Sequence, residues 1–172
     1  MTELRGLPRP PEPGATALVP GTFDGVTVVV TGGGTGLGKA IASEFARLGA
    51  DLAVLSRKPE HLAAAEEALT ALGAQVECVE CDIRDADSIT AAFDRVEQRF
   101  GLPGVLVNNA AANFPSPTED LSPNAWRTVV DITLNGTFFC AREFARRHLR
   151  AGTPASIVNV GASYAWTGGP GF

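Results

Sequence analysis

The chain of 172 residues is 45% hydrophobic and 19% charged, which suffices for the core of one compact domain. Its formal net charge of -5 provides no broad positive field, so we expect neither nucleic acid nor an anionic membrane as a partner. The sequence has a proline-rich start and no apolar run of about 18 residues, which favours a cytoplasmic protein without a signal peptide or membrane helix.

The first 22 residues hold many of the twelve prolines and follow no helix or strand period. We interpret residues 1–22 as a flexible arm and residues 23–172 as one domain that binds a dinucleotide. The domain begins with "VTVVV", from Val26 to Val30. Such a continuous β-branched run is typical of a parallel strand that is buried on both faces.

Strands and helices alternate through the rest of the chain. Further strands are predicted at residues 51–57, 74–81, 104–110 and 155–162. Apolar residues at helical spacing predict helices that begin near residues 37, 61 and 89, and a long helix from Ser122 and Pro123 toward Leu149. This alternation predicts an α/β fold with a doubly wound parallel sheet of the Rossmann type. We expect the sheet to be incomplete at its C-terminal edge, with the fifth strand as an exposed apolar edge.

The segment "TGGGTGLG" stands between the first strand and the first helix. Glycine there permits a sharp turn, lets a pyrophosphate approach without a Cβ in the way, and leaves helix N–H groups facing the anion. This context makes the glycines more informative than a glycine-rich loop alone. The predicted dinucleotide-binding residues of the turn are Gly32, Thr35, Gly36, Leu37 and Gly38.

The end of the second strand indicates which dinucleotide is bound. An NAD-preferring domain commonly carries an acidic residue there for the ribose 2′-hydroxyl, but this chain has Ser56, Arg57 and Lys58. The two cations would pair with a 2′-phosphate, so we predict NADP(H) as the cofactor, bound by Arg57 and Lys58. The alternative is a solvated basic turn before Pro59.

Two other groups of residues are expected to have no special role. Cys78 and Cys81 form the single CxxC of the chain, without the further ligands of a zinc site, so we predict no metal. His61 and His148 stand singly in helical segments, where we expect them to be solvated or hydrogen-bonded within the fold.

The combination of "TGGGTGLG", "CDIRD", "NNAA" and "LNGTFF" resembles the short-chain dehydrogenase/reductase family over everything after the arm. The resemblance implies that Asp82 touches the adenine and that Asn109 and Ala110 border the cofactor. It also implies that Asn135 kinks its helix and is tied through water to an active-site lysine.

The stretch "NFPSPTEDLSPNAW" is similar to the 2,4-dienoyl-CoA reductases within that family. From the residues alone, this is a loop that leaves the carboxyl end of the fourth strand, where open α/β sheets bind ligands, so Asn113, Phe114 and Ser122 are expected to line a pocket. The resemblance implies an acyl-CoA substrate, held with the help of Arg84 and Ser122. The alternative for Arg84 is a surface ion pair with Asp85 or Asp87.

The segment "YAWTGGPGF" begins with Tyr164 and is similar to the catalytic stretch of the same reductases. Most short-chain reductases have a serine three residues after the asparagine of the fifth strand, but Ala162 occupies that position after Asn159. The resemblance therefore implies that Tyr164 and Asn113 donate hydrogen bonds to the thioester oxygen during NADPH-dependent reduction of a 2,4-dienoyl-CoA. The alternative for Tyr164 is a packing role.

The resemblance also implies that residues after Phe172, including the active-site lysine, are missing, so the chain is expected to be a C-terminally truncated reductase. Two other functions stay open. A 3-ketoacyl or alcohol-type reductase predicts a YxxxK pair soon after Phe172, and a non-catalytic NADP-binding fragment predicts binding without turnover. The resemblance further implies a homo-oligomer, a tetramer at full length, through the long helix from Pro123.

Overall fold

The computed structural model describes residues 18–162, in which five parallel strands form one sheet of order β3-β2-β1-β4-β5. The strands are β1 (Thr27–Thr31), β2 (Asp51–Ser56), β3 (Val76–Glu80), β4 (Val105–Asn108) and β5 (Ser156–Asn159). The helices are α1 (Gly36–Arg47), α2 (Pro59–Thr70), α3 (Ala86–Phe100), α4 (Pro123–Val129) and α5 (Gly136–Ala151), with a 3-10 turn at Thr118–Asp120 and a π-helical segment at Val130–Asn135. No helix within this range is long and apolar enough to cross a membrane.

The central strand β1 is buried on both faces, as its β-branched sequence predicts. Val29 packs into one apolar cluster with Phe93 and Phe144, whereas Val28 and Val30 pack into another on the opposite face. Full burial of each such side chain contributes about 1.5–3 kcal/mol. The helices thus cover both faces, and the predicted doubly wound α/β fold is confirmed.

The strand order changes direction between β1 and β4. The chain runs outward from β1 to β2 and β3, and then returns to place β4 on the other side of β1. In an open parallel sheet, the loops that leave two such strands diverge and open a crevice at their carboxyl ends. The glycine turn follows β1 and the "NNAA" segment spans the end of β4, so both lie at this crevice.

The predicted long helix from Ser122 to Leu149 is interrupted. The Ser122 hydroxyl accepts a hydrogen bond from the backbone N–H of Ala125 at 3.1 Å, which confirms it as an N-cap. The π-helical segment then separates α4 from α5 and ends at Asn135, where the family resemblance implies a kink. Gly136 follows and packs so closely on Ile83 that a Cβ would lie 2.7 Å from the isoleucine side chain.

The apolar stripe of this helical region is only partly in the core. Phe144 is buried, but three other side chains of the stripe are largely exposed: Trp126 at 61%, Leu134 at 66% and Phe138 at 59%. The edge strand β5 pairs with β4 on one side, and its apolar side chains are also partly exposed. The prediction of an exposed apolar edge therefore agrees with the described residues.

Candidate cofactor and active site

A cavity of about 360 Å³ opens at the carboxyl ends of the central strands. It brings together all the residues predicted to bind the cofactor except Asp82, namely Gly32, Thr35, Gly36, Leu37, Gly38, Arg57, Lys58, Asn109 and Ala110. A second cavity is lined by Asp82 and Ser88 and shares Arg57 and Cys81 with the first. The two cavities that hold the predicted cofactor residues are therefore neighbours in the crevice.

Three of the five glycines in the turn, Gly32, Gly36 and Gly38, stand where a side chain would be strained or would clash. Gly32 and Gly36 have φ angles of +65° and +52°, a region in which a Cβ is strained. A Cβ on Gly38 would overlap the carbonyl oxygen of Gly32 and the side-chain amide of Asn109, so only glycine permits this close packing. Around Gly36, by contrast, no heavy atom of the described residues lies within 4 Å of the Cβ position, apart from its chain neighbours and its own helix. This open space is what a phosphate group would fill.

The first turn of α1 is open to an anion. Its N-cap residue, Thr35, is extended and makes no side-chain capping hydrogen bond to the described residues. The N-termini of α3 and α4 differ, because the side chains of Asp85 and Ser122 accept capping hydrogen bonds there. Unpaired N–H groups and the positive end of the helix dipole favour a bound phosphate. The geometry of this turn therefore fits a dinucleotide pyrophosphate.

Thr31 fastens the glycine turn to the end of β4. Its hydroxyl oxygen accepts hydrogen bonds from the backbone N–H groups of Asn109 and Ala110, each at 3.0 Å. In return, the Asn109 side-chain amide donates to the backbone carbonyl of Thr31 at 3.0 Å. Thr31 is almost fully buried, so these bonds are shielded from water. These hydrogen bonds hold the glycine turn and the end of β4 together on the two sides of the crevice.

The basic turn after β2 is exposed at the cavity. Arg57 and Lys58 line it, and α2 begins directly behind them, with Pro59 as its first residue. His61 also lines the cavity, in the first turn of α2. His148 is hydrogen-bonded within the fold as predicted, with Nδ1 and Nε2 each 2.9 Å from a partner oxygen, on Thr153 and Pro103.

Asp82 and Arg84 form a bidentate ion pair beside the second cavity. The Arg84 Nε and Nη2 donate to the carboxylate, and the Nη2 distance is 2.5 Å. These hydrogen bonds lower the pKa of the Asp82 carboxyl and outweigh its partial burial, which raises it. Arg84 therefore forms an ion pair, as the alternative predicted, but its partner is Asp82 and not Asp85 or Asp87. The side chain of Asp85 instead caps α3 by accepting from the backbone N–H of Asp87.

The predicted substrate residues lie on the loop that leaves β4. Ala111 of this loop lines the cofactor cavity, whereas Asn113, Phe114, Ser122 and Arg84 do not line it. Ser122 and Phe114 are exposed, and the Ser122 hydroxyl is engaged in the cap of α4. The structure thus brings the cofactor residues together more closely than the substrate residues. Tyr164 lies outside the described residues.

The loop is tied to the π-helical segment close to Asn113. The backbone N–H of Ala112 donates to the Thr133 hydroxyl at 3.2 Å, and that hydroxyl lies 3.4 Å from the Ala112 carbonyl oxygen. Two residues further on, the Asn135 side-chain amide donates to the Asp131 carboxylate at 3.0 Å. Asn113 lies on the loop and Asn135 on the π-helical segment, and these two elements are hydrogen-bonded to each other.

No cluster of metal ligands occurs in the part of the chain that the structure describes. Cys78, Cys81 and Cys140 are free thiols there. Burial raises the pKa of Cys140 to about 12 and that of Cys78 to about 11, which leaves little thiolate at neutral pH.

Comparison with known proteins assigns the fold to a family. The model of the short chain dehydrogenase family matches residues 26–172. A Caenorhabditis elegans protein named "Uncharacterized oxidoreductase" is 43% identical over 158 residues, which cover 91% of this chain and 50% of that protein. Another, named "Probable 2,4-dienoyl-CoA reductase 3", is 44% identical over 152 residues, which cover 87% of this chain and 49% of that protein. Further relatives from this worm and from Bacillus subtilis carry the same enzyme name.

Among solved structures, the citronellol catabolism dehydrogenase of Pseudomonas aeruginosa superposes with a TM-score of 0.84 at 36% identity. The match covers 91% of this chain and 64% of that one. The chain belongs to the short-chain dehydrogenase family, whose Rossmann fold binds a nicotinamide cofactor. It spans about half the length of the curated relatives described above.

Proposed function

We propose that this chain carries the cofactor site and part of the substrate site of an NADPH-dependent 2,4-dienoyl-CoA reductase. The observation that carries the proposal is the loop after β4. Ala111 of this loop forms part of the cofactor cavity, and Ala112 is bonded to Thr133 of the π-helical segment. Asn113 follows directly, so a side-chain donor stands next to the wall of the crevice. Relatives named 2,4-dienoyl-CoA reductase at 38–44% identity support the same reaction.

The choice of NADPH over NADH rests on charge at the end of β2. Arg57 and Lys58 line the cavity, and the charge of Arg57 also lowers the pKa of Asp82. A phosphomonoester on the adenosine ribose would pair with these two cations, whereas a free ribose hydroxyl would gain little from them. We therefore assign the 2′-phosphate to the basic turn and the pyrophosphate to the first turn of α1.

The bound cofactor supplies a hydride. Addition of that hydride and of one proton replaces the two conjugated C=C bonds of the substrate by a single one. After hydride addition, negative charge collects on the thioester oxygen, and donors that meet it there lower the barrier. In this proposal the donors are the Asn113 amide and the Tyr164 hydroxyl. A well-aimed donor of this kind contributes about 3–4 kcal/mol.

The remaining residues have supporting roles in the proposal. Asp82 contacts the adenine, Asn135 maintains the break in the helix beside the loop, and Phe114, Ser122 and Arg84 contact the acyl-CoA. Arg84 is paired with Asp82, which lines the second cavity, and its guanidinium is 40% exposed, so a CoA phosphate could approach it. The exposed apolar side chains of α4 and α5, such as Trp126 and Phe138, form the contact between subunits of a homo-oligomer, proposed to be a tetramer.

The cofactor assignment is tested by binding alone. We expect the chain to bind NADPH more tightly than NADH, and the double variant Arg57→Ser, Lys58→Ser to lose that difference without weaker binding of NADH. Arg95→Gln is the control, because Arg95 pairs with Glu77 on β3 and does not line the cofactor cavity. Equal affinity of the unaltered protein for both dinucleotides would contradict the assignment.

The reaction is tested with the intact protein. We expect loss of NADPH absorbance on addition of a 2,4-dienoyl-CoA, with an enoyl-CoA as the product, and no change with a 3-ketoacyl-CoA. Turnover of the ketoacyl substrate alone would indicate a ketoreductase. Tight NADPH binding with no turnover of either substrate would indicate a non-catalytic nucleotide-binding protein.

A further inference from the structure

His61 lies where the cofactor cavity meets α2. It belongs to the first turn of that helix, three residues after Lys58, the N-cap. The residue is partly buried and lines the same cavity as Ser56, Arg57 and Lys58. It is therefore part of the wall that surrounds the basic turn, although neither the family match nor the sequence patterns assign it a role.

The glycine turn fixes the position of His61. A Cβ on Gly34 would lie 2.8 Å from both the Cβ and the carbonyl oxygen of His61, so the turn and the helix are in direct contact there. The helices behind them are joined as well, because the Lys39 ammonium donates to the backbone carbonyl of Ala64 at 3.3 Å. His61 thus stands between the turn that faces the pyrophosphate and the basic residues that face the ribose.

We propose that the His61 imidazole is a third group that binds the 2′-phosphate of NADP(H), and that it makes the preference for the phosphorylated cofactor depend on pH. Histidine is the side chain whose charge ordinarily changes near neutral pH. When protonated, it adds a charge-assisted hydrogen bond to a phosphomonoester beside Arg57 and Lys58. When neutral, it contributes little to the pairing of charges.

The charges around His61 set the sign of this effect. Arg57 and Lys58 share its cavity, and Lys39 packs on its helix from α1. The exposed carboxylate of Glu60 precedes it on α2. A dianionic phosphate placed beside the imidazole would favour its cationic form. Binding of a 2′-phosphate is therefore coupled to uptake of a proton by His61.

The experiment compares NADPH with NADH on the same chain at about pH 6 and about pH 8. The inference rests on the proposed NADP preference, so the two are measured separately. At the higher pH the proposal leaves the pairing with the 2′-phosphate to Arg57 and Lys58, and an equal affinity for the two dinucleotides there would contradict the proposed cofactor. A preference for NADPH at that pH, without any effect of His61 at the lower pH, would contradict the His61 role alone.

The key variant is His61→Gln, which retains a hydrogen-bonding side chain but cannot become cationic. We expect it to bind NADPH about as tightly as the unaltered chain at the higher pH and about fivefold more weakly at the lower pH. The phosphate of the ligand also titrates near pH 6, but this applies equally to both proteins and cancels in the ratio of their dissociation constants. The dissociation constant of NADH should change by the same small factor at both pH values.

Two further variants keep the result interpretable. His61→Arg carries a permanent charge and should retain tight NADPH binding at the lower pH. Glu67→Gln removes an exposed carboxylate further along the same helix that does not line the cavity, and it should leave the pH dependence of NADPH binding as it is in the unaltered chain. The inference would be overturned if the ratio of the NADPH dissociation constants of His61→Gln and the unaltered chain were the same at both pH values. It would also be overturned if the variant lost as much affinity for NADH as for NADPH. Unfolding by urea confirms that each variant is folded.

Discussion

Arg84 donates from Nε and Nη2 to the carboxylate of Asp82, at 2.9–3.0 Å and 2.5 Å respectively, and its own backbone N–H donates to the same carboxylate at 3.0 Å. One side chain therefore engages both oxygens of the residue that is proposed to contact the adenine. The pair lies at the second cavity, directly after β3. Its arrangement links the proposed cofactor residue with the proposed substrate residue.

The variant Arg84→Gln should raise the pKa of the Asp82 carboxyl, because its hydrogen bonds with Arg84 are the largest cause of the lowered value. The stabilisation from the pair is present above the unfolded-state pKa of Asp82 and is lost as the pH falls through the lower folded-state value. The side chains of Arg84 and Asp82 are 40% and 32% exposed, so the loss at neutral pH should be under about 1 kcal/mol. Carboxyl NMR titration measures the pKa. In the control Arg47→Gln, which removes a remote pair with Glu44, the pKa of Asp82 should stay unchanged.

The variant Thr31→Val should destabilise the fold and weaken NADPH binding together. Valine has the same shape but leaves the backbone N–H groups of Asn109 and Ala110 without their acceptor. An unpaired buried N–H costs about 1–3 kcal/mol, so the free energy of unfolding should fall by about 2–6 kcal/mol for the two groups. Urea denaturation measures it. Thr31→Ser retains the hydroxyl and should lose much less, and equal losses in the two variants would contradict this role of the hydroxyl.

The variant Gly36→Ala should abolish NADPH binding at a modest cost in stability. Its φ of +52° strains an alanine by about 1–2 kcal/mol, and the added Cβ would enter the open space assigned to the phosphate. Gly152→Ala is the matched control, since its φ is +67° and its Cβ also meets no heavy atom within 4 Å in the described structure. Calorimetric titration with NADPH should detect binding in the Gly152 variant only. Unchanged binding in the Gly36 variant would place the phosphate elsewhere.

The variant Asn113→Ala in the intact protein should lower kcat by about a hundredfold or more, as expected when one oxyanion donor is removed. The dissociation constant of NADPH should not change, because Asn113 does not line the cofactor cavity. Stopped-flow and steady-state kinetics separate these quantities. Asn124→Ala removes the same amide from an exposed position in the first turn of α4 and should retain full activity. An equal kcat for both variants would contradict the assignment of Asn113 as a donor.

The fold and the cofactor turn could be predicted because their signals are local. The β-branched run before the glycines specifies β1, and the glycine spacing specifies a turn in which Gly38 must have no Cβ. The break between α4 and α5 was expected only from the family resemblance at Asn135. Hydrophobic periodicity does not indicate it, because the break accompanies the close contact of Gly136 with Ile83 from a distant part of the chain. Periodicity also groups Trp126 with its neighbours on one helix face without indicating what covers that face.

Two side chains illustrate the limit of the prediction at the site. Asp82, Asp85 and Asp87 all lie within three residues of Arg84 in the sequence. Arg84 pairs with Asp82, whereas the side chain of Asp85 caps α3. His61 was predicted at the start of a helix, and it lies in the first turn of α2, which begins at Pro59. That it lines the cofactor cavity depends on the packing of α2 against the glycine turn, which the local sequence does not indicate.

Transfer of deuterium from labelled NADPH to a 2,4-dienoyl-CoA, measured on the intact protein by mass spectrometry, tests the central claim most directly. The proposed reductase predicts an enoyl-CoA that carries one deuterium on carbon, at a rate that falls with the Asn113→Ala variant. An unlabelled and unchanged dienoyl-CoA, together with a deuterated 3-hydroxyacyl-CoA formed from a ketoacyl substrate, would contradict it.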